Sequence, residues 1–284
     1  MSVFLEEIKS EIKNKMFAKL IFVNISIYIL IQLLNVVSRL SGFNLLYLEV
    51  TLFTLKTSPA DFIYSPWGVF TSIFSHFDFF HLLFNMLFLY FIGKIAEFYL
   101  GSKSIIILYI LGGVIGSFIE ILAHSIFPTL NQINTFVVGA SGSIMAIFIA
   151  ISVYKPATEL NLYGVFKVKI IWLALVYFIL DLIKIGTPDG IAHLAHIGGA
   201  LTGFILLNNK GGILNKINDL LLSKPKTNLK VKKGGRPLSD EEFNTVKKQN
   251  EEQTNKILDK ISKSGYESLT KSEKDFLFKQ SKNG

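Results

Sequence analysis

Gly139-Ala140-Ser141-Gly142-Ser143-Ile144-Met145-Ala146-Ile147-Phe148-Ile149-Ala150 opens an apolar run that continues to Tyr154. The run, 140–154, is shorter than the ~20 apolar residues that cross a bilayer core. A short span fits a helix that begins below the membrane surface, inside a cavity lined by protein. Glycines on both sides of Ser141 leave its hydroxyl unobstructed and let another backbone approach. A helix start also directs free N–H groups at whatever sits there, which suits developing negative charge. Small residues recur every four positions from there, at Gly142, Ala146 and Ala150. A second such stripe, Ala195, Gly199 and Gly203, runs through a later apolar segment. Small-xxx-small faces let membrane helices pack with their backbones close. If the two stripes meet, Ser141 and His196 each lie one position from the start of their stripe, as a nucleophile and its general base.

The composition of the chain agrees with a membrane setting. Of 284 residues, 50% are hydrophobic, 13% aromatic and only 18% charged, with 25 Phe. Soluble domains average about 25% charged residues. The absence of Cys excludes disulfides, thiolate zinc sites and Cys nucleophiles. Six apolar spans are expected, at roughly 20–38, 81–100, 104–124, 140–154, 168–186 and 191–208. The net charge of +8 gathers at the ends and in short connections: Lys9 to Lys19, Lys103, Lys155, Lys167, Lys169 and the tail. By the positive-inside rule these face the cytoplasm, which puts both termini there and Arg39, Lys56 and Lys184 opposite. Charge dispersed in this way argues against a nucleic-acid partner. No cleavable signal peptide is expected, because the lysine-bearing arm 1–19 leads into the first span without a cleavage site.

The expected organisation is therefore a cytoplasmic arm 1–19, a membrane domain 20–208, a basic linker 209–238 and a helical module 239–284. The connection at 40–80 is long, apolar and aromatic, which marks it as functional. In the module, Ser239-Asp240-Glu241-Glu242 and Thr270-Lys271-Ser272-Glu273 read as capping boxes, with a helix stop at Gly265. Ile257, Leu258, Ile261, Leu269, Phe276 and Leu277 can bury one face of a small hairpin.

All five histidines lie in or beside apolar spans, at 76, 81, 124, 193 and 196, where ionisable groups mark function by default. His81 and Asn85 share a helix face and could both donate to an oxyanion. His76 can support the same region, and structural hydrogen bonding between helices is the plain alternative for this trio. His124, four residues after Glu120 at a helix end, is read as a structural residue that merely bonds a neighbouring helix. His193 lies one turn before His196 and either lines the cavity or braces it. Asp181 and Asp189 fall outside the packing face, so a Ser–His dyad is expected. A metal site is not: His193-x-x-His196 lacks the Glu of a metalloprotease motif, and no third ligand is evident.

Taken in order, His76…His81-x-x-x-Asn85, Gly139-x-Ser141-Gly142 and Ala195-His196-x-x-Gly199 within six spans resemble the rhomboid intramembrane serine proteases. The likeness covers about 67–207 and includes Glu97, structural in that family, and Gly101. It implies an all-α polytopic membrane protein with a six-helix bundle, and a serine endopeptidase that needs no cofactor. It also implies Ser141 as nucleophile, His196 as base, and His81, Asn85 and the Ser141 N–H at the oxyanion. The expected partners are transmembrane protein substrates and the lipid bilayer, and the expected site is a bacterial cytoplasmic membrane. In well-known bacterial members an aromatic one turn after the serine stacks on the catalytic histidine; Met145 stands at that position here. The tail is similar to a small C-terminal module of some bacterial rhomboids, with an unknown cytoplasmic partner. Two other classes compete. An inactive rhomboid-like membrane binder or chaperone would be expected to lack the Ser or the His. A proton-coupled transporter would need acidic residues at mid-depth and paired repeats.

Overall fold

The computed structural model describes residues 6, 10–127, 129–130, 136–162, 166–222 and 240–283. Helix α1 (Met16–Ser41) enters without a side-chain cap of its own and ends at Gly42, whose φ of 73° is left-handed. The long connection after it is folded into α2 (Leu46–Phe53), β1 (Leu55–Lys56), α3 (Pro59–Tyr64) and α4 (Gly68–Thr71). Then come α5 (Phe79–Leu100) and α6 (Ser102–Ile126), separated by Gly101 at φ 78°. Strand β2 (Phe136–Val137) precedes α7 (Ser141–Tyr154), and the hairpin of β3 (Glu159–Leu162) and β4 (Phe166–Lys169) leads to α8 (Ile170–Ile183). Helix α9 (His193–Leu222) closes the bundle.

α1, α5 and α6 are long and apolar enough to cross a membrane, and α7, α8 and His193–Leu207 of α9 are shorter apolar helices. Large side chains such as Phe22, Leu33, Phe84, Phe91 and Trp172 are exposed on the outside of the bundle. That surface is unfavourable in water and compatible with lipid tails. The chain is thus an all-α integral membrane protein, to which two short strand pairs are added.

A membrane helix end that lies away from water needs a partner inside the protein for its free N–H groups. Glu97 of α5 provides one for α1, its two carboxylate oxygens accepting from the Met16 and Phe17 N–H groups at 2.9 Å each. Asp78 caps α5 itself, accepting from the His81 N–H at 2.8 Å.

α7 lies at the centre, buried from Gly142 to Phe148 and again from Ala150 to Ser152. Its small residues face two neighbours. Gly112 of α6 packs on Ala146, while Gly199 and Gly203 of α9 pack on the carbonyls of Gly142 and Ala146. A Cβ at Gly199 or Gly203 would overlap that backbone, so the two stripes read in the sequence do face each other. Gly198 meets Gly116 of α6 in the same way. Around this seam the core is filled by Leu89, Ile105, Leu108, Tyr109, Ile144, Phe148 and Ile151.

Two details differ from the expectations. The first span begins at Met16, earlier than expected, because Glu97 satisfies the helix start there. Helix α9 continues through 209–222, where a basic linker was expected; nothing in that stretch breaks a helix, since its glycines lower helix propensity without forbidding it. The chain divides into units Met1–Pro225 and Lys226–Gly284.

The second unit contains α10 (Asp240–Ser264) and α11 (Lys271–Asn283). Gly265 takes φ 77° between them, and Thr270 and Glu273 form the expected reciprocal cap, with the Thr270 N–H donating to Glu273 at 2.7 Å. The other expected box begins at Ser239, and the glycines of the linker at 234 and 235; all three lie outside the described residues. Ile257 and Leu269 are buried, whereas Leu258 is exposed and does not join them.

The close seam makes a direct prediction. Gly199→Leu forces α7 and α9 apart, and such overpacking typically costs about 1–3 kcal/mol. The thermal unfolding midpoint in detergent should fall; an unchanged midpoint would mean that the helices do not depend on this contact.

Candidate active site

Helix α7 starts at Ser141 and the first turn of α9 carries His196, so the seam between the two helices brings their side chains together. Ser141 Oγ lies 2.7 Å from His196 Nε2. The fourteen residues of α7 rise about 21 Å, less than a bilayer core of about 30 Å. Its N-terminal serine can therefore lie below the membrane surface.

The approach to Ser141 is held by backbone. β2 pairs antiparallel with β1, Leu55 opposite Val137 and Lys56 opposite Phe136, tying this segment to the first connection. Next, the Gly139 N–H donates to the Ser72 carbonyl at 2.9 Å. Gly139 has φ 125°, and a Cβ there would stand 2.8 Å from His81 Cε1 and 2.9 Å from His81 Nε2. Only glycine allows the His81 ring to lie against this turn.

Asn85 follows one turn after His81 on α5. Its Nδ2 donates to the His81 carbonyl at 3.0 Å and lies 3.2 Å from His76 Nε2. The Ala140 N–H also points at His76 Nε2, at 3.4 Å. Burial, with His81 nearby, pushes His76 in the connection before α5 down to about 3. A neutral ring offers these two donors the one Nε2 lone pair, which they share. His76 is thus placed behind the site, against Asn85 and the entry to α7, and not in the cleft.

That cleft has a volume of about 880 Å³ and lies between α5 and α8. Phe84, Phe88 and Phe91 line one side, Tyr177 and Leu180 the other, and His81, Asn85, Ser141, Met145, His193 and His196 also border it. The cleft is apolar, with a few converging polar groups, as ligand sites usually are.

Asp181 overturns two expectations. From α8 its Oδ1 stands 3.0 Å from His196 Nδ1 and 2.6 Å from His193 Nδ1. The serine and histidine are therefore joined by a carboxylate, where only a dyad was expected. Periodicity could not reveal this, because the contact depends on how 184–192 returns the chain from α8 to α9. Gly186 and Gly190, at φ 80° and 78°, permit that tight return. Asp181 is also the third potential ligand beside His193-x-x-His196, all three offering atoms within 4.8 Å of one another. Ligands of a tetrahedral zinc at ~2.0–2.1 Å would stand about 3.3 Å apart. The observed 2.6 and 3.0 Å separations are those of hydrogen bonds.

His193 also faces Asp189, with Nε2 at 3.2 Å from Oδ2. Partial burial pushes the Asp189 carboxyl up, but the Ile191 N–H, His193 and Lys184 outweigh it and hold the group down at about 2.

A second missed carboxylate is Glu120 of α6. It accepts from the Ala195 N–H at 2.9 Å, fixing the first turn of α9 next to His196. His124 bonds back to its own helix, Nδ1 lying 2.9 Å from the Glu120 carbonyl. The presence of Glu120 in an apolar run was the available signal.

The family model described as "Rhomboid domain" matches residues 64–208, and a family of unknown function (DUF6576) matches 239–283. RHOMBOID-like protein 1 of Arabidopsis thaliana is 32% identical over 140 residues, 49% of this chain and 33% of that protein. Presenilin-associated rhomboid-like protein A, mitochondrial, of Danio rerio is 29% identical over 138 residues, 46% of this chain and 34% of that protein. The chain spans about a third of the length of the relatives it matches.

Glu120→Ala leaves the buried Ala195 N–H without its acceptor, an omission that costs roughly 1–3 kcal/mol. The unfolding midpoint in detergent should drop, and Glu120→Gln, which keeps an acceptor oxygen, should retain more of it. Equal midpoints for Glu120→Ala and wild type would show that the carboxylate does not anchor α9.

Proposed function

Because the chain belongs to the rhomboid family, we propose that it is a serine endopeptidase hydrolysing peptide bonds in or near transmembrane segments of other membrane proteins. The observation that carries this reading is the 2.7 Å contact between Ser141 Oγ and His196 Nε2 at an apolar cleft between two helices.

The chemistry follows from the donors and acceptors. Asp181 Oδ1 accepts a hydrogen bond from His196 Nδ1–H, which leaves the Nε2 lone pair facing the serine hydroxyl. As Ser141 Oγ attacks the scissile carbonyl carbon, its proton passes to His196 Nε2. The carbonyl oxygen becomes an oxyanion. When the tetrahedral intermediate collapses, the C–N bond breaks and the leaving amine takes the proton from His196. Water then attacks the Ser141 ester, losing its proton to His196, and the serine is restored with the carboxylate product.

The oxyanion needs donors that are in place before charge develops. The first turn of α7 supplies backbone N–H groups, which a helix start leaves without intrahelical partners. His81 and the Asn85 amide lie beside Gly139; His81 supplies one side-chain donor, and the Asn85 N–H that faces His76 joins it by turning to the oxyanion. The carbonyls of a helix are hidden, so a substrate helix must unwind locally to reach Ser141. Helix-weakening residues such as Gly near the cut make that step easier. On the same reading the lysine-rich arm and tail lie on the cytoplasmic face. A bacterial inner membrane is the proposed location, with the module of 239–283 recruiting a partner there.

Ser141→Ala should abolish cleavage of a single-span test substrate by the purified protein, and with it labelling by a fluorophosphonate probe. Loss of the nucleophile is expected to lower turnover by on the order of 10³-fold or more, and His196→Ala should match it. Turnover unchanged in Ser141→Ala would sink the assignment. For Asn85→Ala the expected loss is smaller, about 10²–10³ in kcat for one oxyanion donor. Wild-type kcat/KM in that variant would leave Asn85 as a structural hydrogen-bonding residue only.

A further inference from the structure

We propose that Asp181 is a positioning residue for His196, held in place by a strut that runs through His193 and Asp189 to Lys184. The proposal rests on the Ser141–His196 reading above and adds a third member that the spacing of the sequence argued against.

Asp181 Oδ1 is shared by two imidazoles, His196 Nδ1 at 3.0 Å and His193 Nδ1 at 2.6 Å. A carboxylate at Nδ1 selects the tautomer in which Nδ1 carries the proton, leaving Nε2 free to accept the one from Ser141. It also fixes the ring plane and sits against the imidazolium that forms in the transition state, in a site where burial strengthens the attraction. The side chain of Asp181 is only 9% exposed. Its second oxygen, Oδ2, is buried and has no hydrogen-bond partner among the described residues. Such a group is unfavourable for folding, and natural proteins keep such exceptions chiefly where function needs them. An orientation set only by packing would not require a carboxylate at this depth.

The strut explains why Asp181 stays in place. His193, itself buried, is clamped with Nδ1 on Asp181 and Nε2 on Asp189. Asp189 is secured in turn by the Ile191 N–H at 3.1 Å and by Lys184 Nζ at 3.4 Å. The chain thus spans the turn between α8 and α9 and couples both helices to one carboxylate. Met145, where an aromatic could stack on His196, lines the same cleft but offers the ring no hydrogen bond.

Asp181→Asn is nearly isosteric and tests the idea in the purified full-length chain, with cleavage of a single-span substrate and the rate of fluorophosphonate labelling as readouts. The amide can present N–H to His196 Nδ1 and so favour the wrong tautomer. A fall in kcat of about 10²–10⁴-fold is expected, with KM and the unfolding midpoint near wild type. His193→Gln, which removes the clamp but keeps the carboxylate, should show a smaller loss confined to kcat. Wild-type kcat in Asp181→Asn would overturn the proposal. So would a loss carried by KM and the unfolding midpoint, which marks a structural role.

A readout independent of turnover uses protein labelled with 15N in its histidines. A hydrogen-bonded Nδ1–H proton resonance of His196, assigned by its loss in His196→Ala, should be present in wild type and gone in Asp181→Asn. Its absence from wild type overturns the proposal even if every variant fails to fold. Should wild type show that resonance yet neither cleave nor label, the positioning bond stands and the protease reading fails.

Discussion

The close approach of α7 and α9 is the constraint on which the rest of the molecule depends. Lipid tails are as apolar as leucine, so membrane helices gain little from burying apolar surface against each other. What holds them is dispersion at short range and hydrogen bonding, and both require backbones to come near. Gly199 and Gly203 set against the carbonyls of Gly142 and Ala146 provide that approach. A hydroxyl from one helix and an imidazole from the other can then meet at 2.7 Å. The same residues serve packing and placement of the site, so the chemistry depends on atoms well away from the reacting groups.

Two helix starts are satisfied in the same way, by carboxylates that cross from one helix to the backbone start of another. Glu97 takes the first N–H groups of α1, and Glu120 takes that of Ala195 in α9. In a bilayer an unpaired backbone group costs several kcal/mol, so each such carboxylate fixes where its partner helix begins. Glu120 thereby sets the depth of His196, and the Gly139 turn sets the depth of Ser141. The apolar cleft between α5 and α8 gives access to both.

The unit from Lys226 onwards follows different rules. Its helices are mostly polar, so their stability rests on caps, a few apolar contacts and ion pairs such as Lys260 with Glu273 at 3.0 Å. A reciprocal cap at Thr270 and Glu273 was readable from four residues because capping is a local interaction. Which of its apolar residues would be buried was less readable, and Leu258 remains exposed.

Local chemistry and periodicity were enough to determine the apolar spans, the small-residue stripes and the membrane setting, because each depends on residues three or four apart. They also singled out Ser141 and His196, since both sit at fixed offsets from those stripes, and His81 and Asn85, which share one helix face. Asp181 shows where that reasoning ends. It lies fifteen positions before His196 on another helix, and no period links the two. Only the tight return through Gly186 and Gly190 turns the end of α8 towards the start of α9. Glu120, seventy-five positions from Ala195, is a second case. A sequence pattern specifies which face of a helix is used, whereas the polar group that completes the site is chosen by how separate helices pack in three dimensions.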